Sequence, residues 1–218
     1  MIVESHSEKE QFLDYWDNES SIVIPIWEDL ERHPMTCDVS FLYVRFQNLD
    51  FVLPFNHNDC EPIEIDLSKS KQTKWIWNKK ALLQTDLKIQ NQKDIQTSLF
   101  FNENKLYPFG EKLEALTNFY HRLGMRDGLG KSIPIMKFME VLGDISNDFG
   151  NLRPTIDWID DTMIPILSDV ERLGIRVDRE KFFDKWKDNK KSLWFSRAFT
   201  EYNPYTITSR PSNRHLGI

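Results

Sequence analysis

Ser21-Ile-Val-Ile-Pro-Ile-Trp27 is a near-continuous apolar run, and it reads as a buried strand. Pro25 lacks an N–H and would disturb a central ladder there. Upstream, residues 8–18 (Glu-Lys-Glu-Gln-Phe-Leu-Asp-Tyr-Trp-Asp-Asn) place Phe12, Leu13 and Trp16 on one side of a short amphipathic helix. Downstream, Glu28 to His33 reads as a loop or one helical turn. Asp38 to Gln47 is then a second strand, Asn48-Leu-Asp50 turns, and Phe51-Val-Leu-Pro-Phe55 returns as a third, which makes a hairpin.

Further along, Asn56 to Lys74 is polar, with a short helix or strand expected around Pro62–Leu67. Lys74-Trp-Ile-Trp77 reads as a strand, Asn78 to Gln84 as the start of a helix, and Leu87-Lys-Ile89 as a brief strand. Asp94 to Phe101 is open between strand and helix. From Gly110 the pattern turns helical. Residues 111–123, 133–144 and 156–173 each carry apolar positions three and four apart, with Gly124 and Gly174 as stops. Arg179 to Phe195 reads as a basic amphipathic helix bearing Phe182, Phe183, Trp186 and Trp194. Strands first, then a mixture, then helices, predict an α/β or α+β layered domain with a helical extension.

The 218 residues suffice for a real core. A composition of 40% hydrophobic and 28% charged residues fits a soluble globular protein. No apolar run approaches the ~20 residues that span a bilayer, and the acidic, polar start is unlike a signal peptide. Cys37 and Cys60 make neither a disulfide framework nor a metal motif, so reduced thiols in a cytoplasmic setting are expected. His6, His33, His57, His121 and His215 are scattered and give no zinc pattern. Gly128-Leu-Gly-Lys-Ser132 suggests a P-loop, but the first glycine of that motif would fall on Met125. A loop between helices is the simpler reading.

The most specific stretch is Glu201-Tyr-Asn-Pro-Tyr-Thr-Ile-Thr-Ser-Arg-Pro-Ser-Asn-Arg214. Tyr205, Ile207 and Ser209 alternate with Thr206, Thr208 and Arg210 at the period of a strand, and Pro211-Ser212-Asn213 breaks it. Hydroxyls, an amide and arginines on such a ribbon suit phosphate and sugar contacts; a solvated tail is the alternative. Charge is distributed to match. Residues 172–218 hold 11 Lys/Arg against 5 Asp/Glu, whereas residues 1–171 hold 17 against 29. A basic end on an acidic body fits one end meeting phosphate, although a solvated basic helix would look the same.

Thr206-Ile-Thr-Ser-Arg-Pro-Ser-Asn-Arg214 resembles the "T-x-T-G-R-x-S" segment of A-family DNA polymerases, and especially its phage-type "YxxYTxTGRPSNR" variant. Asp161 to Asp178 is similar to the family's "emplipvLxxmExxGixvD", with Glu171, Gly174 and Asp178 in register. More weakly, Val52 to His57, Trp77 to Leu83 and Asp94 to Leu99 resemble the "yyiP..H", "HNxKFDxxxL" and "DTxxxxyL" segments of the family's 3′–5′ exonuclease domain. The resemblance implies an RNase H-like α/β domain over 1–155 and the start of a polymerase domain over 156–218. It also implies that Thr206, Thr208, Arg210, Ser212, Asn213 and Arg214 contact primer–template DNA. Ser209 stands where the family has Gly, which adds a side chain where backbone would approach DNA closely.

The exonuclease chemistry departs from the family. Two divalent cations need clustered carboxylates, and the family's first pair is Asp-x-Glu on the first strand. Here that strand carries no carboxylate, and Glu28 and Asp29 follow one residue out of register. The second motif offers Lys80 and Ala81 in place of its Asp. The third lacks its aromatic partner beside Asp144 and Asp148. A degenerate exonuclease-like scaffold is therefore expected, with no catalytic or metal-binding residue and no cofactor of its own. Mg²⁺ belongs to the complete polymerase, whose palm carboxylates the resemblance places past Ile218. Only about 20 residues stand where the family has a thumb. The implied role is DNA replication in the cytoplasm (the host's, if viral), with primer–template DNA as partner. The chain is then either a fragment or one subunit of a split polymerase whose second polypeptide carries the palm. Two alternatives stay open. One is an active nuclease assembling Glu28, Asp29 and residues such as Asp66, Asp86 or Asp144; the other is a structural interaction module.

Overall fold

A computed structural model describes residues 1–27, 38–47, 49–56, 60–102, 157–178, 180–181, 193–194, 196–204 and 212–213. The apolar run forms β1 (Ser21–Trp27), and it sits at the middle of a five-stranded mixed sheet. The other strands are β2 (Val39–Phe46), β3 (Leu49–Pro54), β4 (Lys74–Ile76) and β5 (Gln92–Asp94). The sheet order is β3-β2-β1-β4-β5. β1 pairs antiparallel with β2 and parallel with β4, and β4 pairs parallel with β5. β2, antiparallel also to β3, is thus the one strand that runs against the other four.

Pro25 does not disturb this ladder. The last β1–β4 rung is Val23 with Ile76, so on that side the ladder has ended before Pro25, which pairs with Leu42 of β2. A missing N–H is harmless where one flank has no partner strand.

Alternation sets the core. Val23, Leu42, Val44, Phe46, Phe51, Leu53 and Ile76 share one sheet face and one buried cluster with Phe12 and Trp16 of α1 (His6–Asn18). Ile22, Ile24 and Ile26, on the opposite face of β1, are buried too. α1 begins where a capping box dictates: Glu8 N–H donates to Ser5 Oγ at 3.3 Å, and Ser5 N–H donates to Glu8 Oε2 at 2.8 Å. Its far end is closed by a buried cation. The Lys74 ammonium donates to the carbonyls of Trp16 (2.5 Å) and Glu19 (2.7 Å) and lies 4.2 Å from the Trp16 ring centroid. Burial holds this amine down at about 8. The outer edge of β3 is partly covered by the N-terminal residues, Val3 N–H donating to Val52 O at 2.9 Å.

Several sequence expectations are corrected. Residues 60–73 form no helix or strand, and their backbone bonds other parts of the chain: Ile63 N–H reaches Pro54 O, and Leu67 O accepts from the Trp16 indole. The strand expected at 87–89 lies instead at Gln92–Asp94. Of Asp94 to Phe101, Asp94 closes β5 and the rest is helix: Asp94 Oδ1 accepts Thr97 N–H at 2.8 Å and so starts α3 (Ile95–Asn102). The expected helix over 179–195 cannot reach its end, since Leu193–Trp194 is strand. The helices expected at 111–123 and 133–144, and the Gly128–Ser132 loop, lie outside the described residues.

The helix predicted at 156–173 is present, with a π-helical turn (Ile159–Met163) running into α4 (Ile164–Leu173). Pro165 explains the turn. Its ring crowds the carbonyl four residues back, and the chain widens so that Ile164 N–H bonds Ile159 O. α4 ends at Gly174, whose φ is 65°. A Cβ there would stand 2.8 Å from Phe199 Cε1 and 3.0 Å from Ala198 O, so both conformation and space require glycine. Beyond it, β6 (Ile175–Arg176), β7 (Leu193–Trp194) and β8 (Arg197–Ala198) form a small antiparallel sheet in the order β6-β8-β7. β9 (Tyr202–Asn203) and β10 (Ser212–Asn213) form a two-stranded antiparallel ribbon. Among the described residues no helix is long and apolar enough to cross a membrane.

Candidate functional site

Two adjacent lysines organise the junction between the sheet and the C-terminal elements. Asn78, at φ 58°, turns the chain out of β4 and caps the short α2 (Lys79–Leu82). Both lysines are at most 5% exposed. Lys79 Nζ donates to Asp160 Oδ1 at 3.1 Å and to the carbonyls of Gln92 and Asp160 at 3.0 Å. Lys80 Nζ donates to Glu171 Oε1 at 2.6 Å and also to the Tyr202 carbonyl. The first lysine ties α2 to the π turn, and the second ties it to α4 and β9. Cationic heads taken out of water this far need acceptors: Lys79 has three, and Lys80 has two, with Glu201 Oε1 at 4.0 Å.

Asp94 and Glu171 are equally committed. Asp94 Oδ2 accepts Lys79 N–H at 3.0 Å, while its Oδ1 starts α3. Glu171 takes Tyr202 N–H at 2.7 Å on Oε1 and Gln84 Nε2 at 2.6 Å on Oε2. Asp160 Oδ1 also receives Asp94 N–H at 3.0 Å, but Asp160 Oδ2 is buried with no hydrogen-bond partner. Burial pushes this carboxyl up to about 6; Lys79 opposes the shift and the nearby Asp94 adds to it. Lys93, at the rim, bridges Asp157 (3.1 Å) and Asp161 (2.8 Å). Burial works against its charge, but Asp161 and Asp157 outweigh that and hold it above the ordinary lysine value. Lys71, Thr73, Asn91, Gln92 and Lys93 line an open cleft of about 470 Å³ beside it.

A two-metal site needs free carboxylate oxygens, and the acids gathered here already hold ammonium or amide donors. Among the described residues no group of three or more His, Cys, Asp or Glu side chains is placed to hold a metal ion. Asp66 is likewise engaged in its own turn, with Ser68 and, at 2.9 Å, with Lys69. Asp86 is exposed, and Glu28, Asp29 and Asp144 lie outside the described residues.

Of the expected DNA contacts, Ser212 and Asn213 are placed by their backbone, paired with Asn203 and Tyr202. Thr206, Thr208, Arg210 and Arg214 lie outside the described residues. The in-register motif residues have structural tasks. Glu171 joins α4 to Lys80 and Tyr202, Gly174 makes the turn, and Asp178 Oδ1 accepts the N–H groups of Glu180 (3.1 Å) and Lys181 (3.3 Å). Trp77 is core, whereas Trp158 is 59% exposed.

Sequence reasoning missed Lys79 altogether and treated Lys80 only as a residue standing in for a lost Asp. The signal was available on the other partner. Asp160, Ile164, Ser168 and Glu171 recur at helical spacing, and these are the positions the helix buries. Acids on a helix face that is to be buried call for cations opposite. Comparison with known protein families finds no family model that matches this chain, and comparison with characterised proteins finds no match.

Proposed function

We propose that the chain is the DNA-holding, non-catalytic portion of an A-family, phage-type DNA polymerase. An RNase H-like domain serves as scaffold, and the segment after β9 grips primer–template backbone. The observation that carries this reading is the join between the two stretches that resemble the family most closely. Glu171, from the first, receives the N–H of Tyr202, which opens the second. A mixed five-stranded sheet in the order β3-β2-β1-β4-β5, packed with helices, is compatible with the RNase H-like assignment. The basic C-terminal portion supports a phosphate partner.

Under this reading Thr206, Thr208, Arg210, Ser212, Asn213 and Arg214 hold the duplex backbone, and Mg²⁺ and nucleotidyl transfer belong to the palm of the complete polymerase. The test is to titrate labelled primer–template with the chain at about 50 and 200 mM salt, then incubate the complex with Mg²⁺ or Mn²⁺. Binding that weakens steeply with salt, without loss of 3′ nucleotides, is expected. Digestion abolished by Glu28→Ala/Asp29→Ala would make the chain a nuclease instead.

A further inference from the structure

We infer that the buried Lys80–Glu171 pair is the device that sets where the DNA-contact ribbon stands; this rests on the reading just given. The geometry converges on one residue. Tyr202 donates its N–H to Glu171 Oε1 at 2.7 Å, and its carbonyl accepts from the Lys80 ammonium. The two side chains bond each other at 2.6 Å, and both are nearly inaccessible to solvent. Tyr202 is the β9 residue paired with Asn213, so fixing its N–H and carbonyl fixes the base of the ribbon that β9 makes with β10. Lys80 comes from the sheet side and Glu171 from α4. The ribbon is therefore referenced to both bodies at once. A pair held this way serves geometry more than stability, because a buried ion pair gains little over well-packed apolar residues. Neither side chain is placed to touch DNA; each is a positioning residue acting through Tyr202.

Two double variants separate positioning from mere folding, since single removal would strand a buried charge. Lys80→Met/Glu171→Met removes both holds on Tyr202. Lys80→Met/Glu171→Gln removes both charges but keeps an oxygen for the Tyr202 N–H. In the full-length chain without DNA, the Tyr202 amide is expected to exchange at least about tenfold faster in the first variant. In the second it stays close to wild type, and β1 and β2 amides do not change in either. Primer–template affinity falls about tenfold in the first variant, equivalent to one lost good contact, and Arg210→Ala then costs less than about twofold there because the two changes are coupled. Unchanged Tyr202 exchange, or an Arg210→Ala cost that is the same in both backgrounds, would overturn the inference. If the wild-type chain does not bind primer–template, the functional reading fails by itself, and the exchange of Tyr202 still decides the anchoring.

Discussion

At the scale of single residues, the buried charges have measurable signatures. Asp160 has two donors on Oδ1 and none on Oδ2, so a proton on Oδ2 displaces no bond. Its carboxyl is raised from 3.8 to about 6, and the folded state therefore keeps a proton the unfolded chain has lost. The associated stability is present below pH 3.8 and disappears as pH rises through about 6, on the order of 3 kcal/mol. Denaturation of wild type and Asp160→Asn side by side should show the variant gaining on wild type between pH 4 and pH 7. A difference that does not vary with pH would contradict this. Lys74 gives a second check. Lys74→Met leaves the carbonyls of Trp16 and Glu19 short of a buried donor, with an expected loss of about 2 kcal/mol and a fall in Tm of roughly 4–8 °C by calorimetry. None of this could be read from the sequence beforehand. A lysine beside Trp-Ile-Trp looks like a strand-edge charge until the chain brings the end of α1 onto it.

At the scale of elements, α4 inverts the ordinary rule for amphipathic helices. Ile166 (56%), Leu173 (59%) and Val170 (38%) face outward, while Glu171 and Ser168 are 1% exposed. Periodicity located the helix correctly, because spacing of three and four does not depend on which face is buried. It could not choose the face, which Lys79 and Lys80 decide by pairing with Asp160 and Glu171. Glu171→Ala, which strands Lys80, should cost about 3–5 kcal/mol in urea denaturation. Ile166→Ser and Leu173→Ser should each stay within about 0.5 kcal/mol of wild type; equal costs on the two faces would refute the assignment. The turn after α4 is as demanding. Gly174→Ala must place a Cβ 2.8 Å from Phe199 Cε1 at positive φ, and a loss of about 1–3 kcal/mol is expected from the same measurement. β1 and the hairpin of β2 and β3 were legible because each is a run of apolar residues with a turn at its end. Gln92–Asp94 was not, since three polar residues on a sheet edge carry no periodic signal.

At the scale of the whole molecule, the sheet and the ribbon are one construction, joined through α2, α4 and Tyr202. The mixed α/β architecture followed from the order of strands and helices along the chain. The join did not, because Lys80 and Tyr202 are 122 residues apart and long-range pairing leaves no local mark. Acidic body and basic end remain the broadest feature linking this construction to a polyanion. The central claim is that the chain holds primer–template through the residues after β9, and the salt dependence of binding tests it most directly. Affinities for wild type, Arg210→Ala and a variant with Lys185, Lys187, Lys190 and Lys191 all changed to Ala should be measured across a salt series. Arg210→Ala is expected to weaken binding and to reduce the slope of log K against log salt by about one, with the lysine variant close to wild type. A lysine variant that loses binding while Arg210→Ala retains it would move the DNA contact off the ribbon and contradict the account.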